Sequence, residues 1–160
     1  MKGFELKTKE ITLTAIMSAL VFIATFVPKI PIPLGYAHLG DAAIFLTVIL
    51  CGRKVGILSG VIGSAFADLL SGFPIWILPT ILIKAAMAET FFRLHNRNII
   101  FALIVASLLM SLGYTFAGAF LYDSLSLGFA STPGLLLKSA VNIIVTIVIS
   151  AAMKSRNIKL

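Results

Sequence analysis

An all-α integral membrane bundle of six helices, with both termini cytoplasmic, is the fold class the sequence predicts, on three observations. First, 59% of the 160 residues are hydrophobic and only 12% are charged, with a mean hydropathy of +1.08. No soluble domain of this length has enough interior to hide that much apolar surface. Second, the apolar runs have the length of helices that cross a hydrocarbon core of ~30 Å, and are too long for barrel strands. Third, the basic residues alternate between sides. Lys2, Lys7, Lys9, Arg53, Lys54, Arg93, Arg97, Lys154, Arg156 and Lys159 gather on one side, ten against Lys29 alone on the other. The positive-inside rule makes the first side cytoplasmic. The net charge of +7 is then a topology signal; nucleic acid is not implied, and attraction to anionic lipid is a minor consequence. Cys51 is the single cysteine, which excludes an intrachain disulfide and a cysteine metal cluster. The first apolar run lacks the cleavable pattern of a signal peptide and reads as a retained helix.

The elements follow in order as one membrane domain over 1–160. A basic N-terminal stretch leads into a helix over 10–27, which ends at Pro28. With Pro28, Pro31 and Pro33, residues 28–40 cannot continue as helix and read as an external lid loop. The second helix, 41–51, opens at Asp41 as its N-cap. Gly52-Arg53-Lys54 turns into a third helix over 55–71, whose Gly56, Gly60 and Ser64 and whose Gly63 and Ala67 recur every four residues. Small residues at that spacing let helices approach closely. The fourth helix, 74–94, carries Pro79 as an expected kink; the fifth covers 99–122 and the sixth 133–153, with an external loop between them.

Two lysines stand out because they lie inside apolar spans: Lys84 in the fourth helix and Lys138 in the sixth. A charge at such depth costs at least ~2.5–3.5 kcal/mol on insertion scales unless it faces a partner or a wet cavity. Lys84 therefore either contacts a ligand or pairs with Asp68 or Asp41. Lys138 either shares a ligand with Asn142, one helical turn away, or snorkels to the headgroups. Tyr36, Trp76, Tyr114 and Tyr122 map to the external half, as interfacial belt residues or as a surface for a flat ring. His38 lies in the lid. Glu89 is placed to pair with Arg93. On the first helix, Ala15 and Ala19 form a small-xxx-small pattern, suited to packing within the bundle or to docking another membrane protein. No phosphate-binding loop, metal-ligand spacing or catalytic triad is present, so the chain reads as no enzyme, without cofactor or metal. A self-contained carrier using Lys84, Asp68 and Lys138, and a purely structural membrane protein, are the competing classes.

Taken together, Ala15xxxAla19, the segment PIPLGYAHLGDA before a short helix, and the run GVIGSAFADLLSGFPIWILPTILIKAAMA resemble the S-component of an energy-coupling factor (ECF) vitamin transporter over nearly the whole chain. The resemblance implies a plasma-membrane subunit that binds one water-soluble vitamin or precursor from outside. Its implied partners are a transmembrane coupling protein and two cytosolic ATPases, where ATP hydrolysis would occur. It assigns Ala15 and Ala19 to the coupling protein, and Tyr36, His38, Trp76, Thr80, Lys84, Tyr114, Lys138 and Asn142 to the ligand. Hydroxymethylpyrimidine or pyridoxine is the first expectation for the ligand, with riboflavin or pantothenate as the alternative. The cationic thiamine is disfavoured by the two lysines.

Overall fold

Helices dominate the computed structural model, which describes residues 7–32 and 35–155, the side chains of 32, 35 and 36 excepted. Lys2, Pro33, Arg156, Lys159 and the side chain of Tyr36 lie outside that description. The elements are α1 (Thr8–Phe26), β1 (Ile30–Ile32), β2 (Gly35–Ala37), α2 (Gly40–Leu70), α3 (Ile77–Leu94), α4 (Ile99–Leu121), α5 (Leu125–Ala130) and α6 (Thr132–Ser155). Among the described residues, five helical segments are long and apolar enough to cross a membrane: Thr8–Phe26, Gly40–Leu70, Pro74–Leu94, Ile99–Leu121 and Leu125–Ser155.

The count is five where six helices were expected, because 41–51 and 55–71 run together as α2. The expected three-residue turn shrinks to one non-helical residue, Gly52, at φ 80° and ψ −175°. That residue still reverses the chain. A Cβ on Gly56 would fall 2.4 Å from Val48 Cγ2, and one on Gly60 would fall 3.2 Å from Ile44. In a straight helix, residues eight apart are separated by about 12 Å. Contacts at 48/56 and 44/60 instead describe two antiparallel limbs folded about Gly52. Only glycine takes that φ without strain.

Three other expectations change. The lid is not an irregular loop: β1 and β2 form an antiparallel hairpin in which Pro31 faces Tyr36. Strand pairing on both sides of 33–34 is compatible with proline because a two-stranded ribbon is all edge. Pro79 does not kink α3. Pro74–Trp76 is a 3-10 turn and α3 begins at Ile77, so Pro79 lies in the first turn, where its missing N–H has no intrahelical acceptor to lose. The loop before the last helix contains α5, capped by Ser124, whose side chain accepts from Leu127 N.

α1 packs on α2, α2 on α3 and α6, and α4 on α3, α5 and α6. Val21, Ile44, Phe45, Val48, Met87, Phe91, Leu103 and Met110 form the apolar core, with the Phe45 and Phe91 rings 4.8 Å apart. The outer surface is apolar too, as a lipid-facing surface must be: Leu78, Leu82, Phe116 and Ile144 are all exposed. At the Gly52 end, Glu89 accepts from Arg53 Nε at 2.6 Å and from Arg93 Nε at 2.7 Å. The expected Glu89–Arg93 pair is thus joined by a cross-helix one that ties α3 to the turn of α2.

Candidate functional site

Away from the Gly52 turn, four helices and the end of the lid converge on a buried ionic cluster. α3 supplies Trp76 at its entry, then Thr80 and Lys84, spaced by four residues and so on one face. α4 supplies Tyr114, and α6 supplies Lys138 and Asn142. The second residue of α2, Asp41, stands at the centre. Its Oδ1 accepts a hydrogen bond from Lys84 Nζ, and its Oδ2 lies 3.2 Å from Lys138 Nζ. Lys84, Lys138 and Asp41 are 1%, 3% and 1% exposed. Lys138 therefore turns inward; it does not snorkel. Lys84 pairs with Asp41 in preference to Asp68. Two ammonium groups on one carboxylate leave this triad with a formal charge of +1.

Asp41 was expected to cap its own helix and does not: the N-cap is Leu39, with no side-chain cap bond. The cap comes from another helix. Asn142 Oδ1 accepts from Ala42 N at 2.8 Å, while its Nδ2 donates to the His38 and Lys138 carbonyls, both at 2.8 Å. One carboxamide so joins α6 to the lid and to the start of α2, which frees Asp41 for the lysines. His38 Nδ1 accepts from Gly40 N at 3.1 Å. Burial, and then the nearby Lys138 charge, hold the His38 ring well below the usual histidine pKa, in its neutral form.

An aromatic layer covers the triad. The Tyr114 ring centroid is 5.3 Å from Lys84 Nζ and 5.5 Å from Lys138 Nζ, within cation–π range. Tyr114 donates its hydroxyl to Thr80 Oγ1 at 3.0 Å. Trp76 packs on it at 5.8 Å and on Tyr122 at 6.1 Å, and Trp76 Nε1 donates to the Tyr122 hydroxyl at 3.3 Å. The arrangement offers ammonium donors, a carboxylate acceptor and π faces, which suits recognition of a polar ring; it contains no nucleophile–base pair. Among the described residues, no group of three or more His, Cys, Asp or Glu side chains is placed to hold a metal ion.

Of the residues expected to bind ligand, His38, Trp76, Thr80, Lys84, Tyr114, Lys138 and Asn142 come together here, while the Tyr36 side chain lies outside the described residues. Asp41 and Tyr122 join them. Asp41 carried a readable signal: a carboxylate entering an apolar helix has the same desolvation cost as the lysines. Ala15 and Ala19 lie elsewhere, on the wall of an apolar groove of about 630 Å³ between α1 and the second limb of α2, with Phe22, Leu58, Ile62 and Phe66.

Comparison with known proteins agrees with this architecture. A solved structure described as the S component of a bacterial ECF transporter superposes with a TM-score of 0.77, covering 94% of this chain and 98% of the other at 22% identity. A protein of Pyrococcus woesei, described as an uncharacterized protein in a gap 3′ region, is 35% identical over 109 residues, 64% of this chain and 73% of that one. The family described as ECF-type riboflavin transporter, S component, matches residues 5–155. The chain belongs to that family, and is the substrate-binding membrane subunit of an ECF transporter.

Proposed function

We propose that the substrate is riboflavin, bound at the site formed by the lysine–aspartate triad and the Trp76–Tyr114–Tyr122 aromatic layer. The observation that carries this reading is two buried ammonium groups sharing one carboxylate beneath an aromatic surface. An isoalloxazine ring matches both halves: its carbonyl edge accepts from lysine, and its π face stacks on Trp76 or Tyr114. The description of the matching family points the same way, and moves the reading from hydroxymethylpyrimidine or pyridoxine to the riboflavin alternative. Pantothenate brings no ring for the aromatic layer.

In this reading the Trp76 end of the bundle opens to the outside and both termini are cytoplasmic, as the basic residues imply. The chain delivers its ligand in complex with a membrane coupling protein and two cytosolic ATPases. The test is titration of the purified protein with riboflavin, pyridoxine, hydroxymethylpyrimidine, pantothenate and thiamine, read by quenching of Trp76, the single tryptophan. Saturable quenching at submicromolar riboflavin alone is expected. Tight binding of pyridoxine or hydroxymethylpyrimidine in its place would return the substrate to the single-ring class. No response to any of them, with no small molecule extracted from the protein, would end the vitamin-binding assignment.

A further inference from the structure

A second carboxylate lies near the triad without being paired to it. Asp68 is on the second limb of α2, and its Oδ2 is buried with no hydrogen-bond partner. The Thr80 hydroxyl hydrogen-bonds to the Asp68 carboxylate, and the charges acting on it are those of Lys84, Lys138 and Lys29. Asp41 precedes the Gly52 turn by 11 residues and Asp68 follows it by 16. At a helical rise of about 1.5 Å, Asp68 sits ~7 Å further along the bundle than Asp41, towards Trp76. It thus stands at the level where the face of α3 passes from Lys84 to Thr80.

A buried carboxylate oxygen without a donor is costly, and costlier still in a bundle surrounded by lipid. Both lysines spend themselves on Asp41, although Asp68 is within their field. The Tyr114 hydroxyl is committed to Thr80. The Oδ2 of Asp68 is therefore an acceptor with no hydrogen-bond partner among the described residues, at the edge of a site whose other polar groups are mainly donors.

Building on the riboflavin reading, we propose that Asp68 is a specificity-determining residue of the substrate site, where its Oδ2 accepts the hydrogen of a ring imide or amide N–H. Lysine donors and the Asp68 acceptor together select a heterocycle edge with carbonyl oxygens flanking an N–H. This is the pyrimidinedione edge of a flavin. A site built to receive an N–H discriminates strongly against an analogue that lacks it, because the acceptor is then left buried and unpaired.

The test compares riboflavin with its N3-methyl derivative, which keeps the ring and both carbonyls but has no N–H. Both are titrated against wild type, Asp68→Ala and Asp68→Leu in detergent, with a thermal melt of each protein. Wild type is expected to prefer riboflavin by roughly tenfold or more, the loss typical of one unsatisfied buried group. Both variants are expected to bind the two flavins within about twofold of each other, through weaker riboflavin binding. Asp68→Leu fills the volume and removes a carboxylate with an unsatisfied buried oxygen, so it should melt no lower than wild type. A lower melt with the riboflavin preference intact would mean that Asp68 is merely structural. Equal binding of the two flavins by wild type, or an undiminished preference in the variants, would overturn the role of Asp68 and leave the riboflavin reading standing. Wild type that binds neither flavin would overturn both.

Discussion

Asp41 is the residue on which the site's energetics turn. Removing one partner of a buried ion pair leaves an uncompensated charge, at a cost of about 3–5 kcal/mol. Asp41→Asn strands two ammonium groups and should lower stability by that order. Lys138→Ala removes the surplus charge and leaves a neutral Lys84–Asp41 pair, so it should keep the fold yet weaken ligand binding at least tenfold. Melting and titration of the two variants side by side check this contrast; equal melting losses would mean that the charge balance is not as described. The lysines were legible because a positive charge inside an apolar run has few explanations. Asp41 was harder to read, since an acidic residue at a helix start has an ordinary role as a cap. What displaced it from that role is the Asn142 carboxamide, 100 residues away in sequence, and no local pattern reports such a partner.

At the level of elements, the two limbs of α2 depend on glycine. A methyl group on Gly56 would meet Val48 Cγ2 at 2.4 Å and the Val48 backbone at 2.9 Å, whereas one on Gly60 would meet only the side chain of Ile44, at 3.2 Å. Overpacking of a tight contact typically costs 1–3 kcal/mol. Gly56→Ala should therefore destabilise by about that amount and Gly60→Ala by clearly less, since a side chain yields more easily than backbone. Comparable melting losses for the two would refute the packing described for the limbs. The four-residue spacing of small residues announced close approach, but the partners were hidden: for Gly56 and Gly60 it is the same helix before a one-residue reversal, and for Gly63 it is Ser18 and Val21 of α1. Gly52 can make that reversal because its φ is open to glycine. The β-hairpin of the lid escaped notice for a different reason. Proline is read as a helix breaker, and its strand role depends on edge pairing that only the partner strand reveals.

At the scale of the whole molecule, the bundle is apolar within and without, and its polar residues mark what lies between those surfaces. The triad and its aromatic layer occupy one end. The arginines on Glu89 occupy the other, and the groove bearing Ala15 and Ala19 opens on the side. Ala15→Trp with Ala19→Trp should leave ligand binding intact while abolishing assembly with the coupling protein and ATPases. Co-purification of the tagged complex measures this, and assembly of the double variant at the wild-type level would remove α1 as the docking face.

Composition, the length of the apolar runs and the side-by-side asymmetry of lysine and arginine were sufficient to identify a helical membrane protein and the two lysines buried in it. Each of those is a one-dimensional property: the cost of a charge or an unsatisfied backbone group in hydrocarbon depends on its depth alone. The pairing of both lysines with Asp41, the capping of α2 by Asn142, the reversal at Gly52 and the unpartnered oxygen of Asp68 were set by packing. They depend on which side chains meet across helices, and the hydrogen bonds and ion pairs of a buried site are satisfied by partners that sequence distance does not constrain.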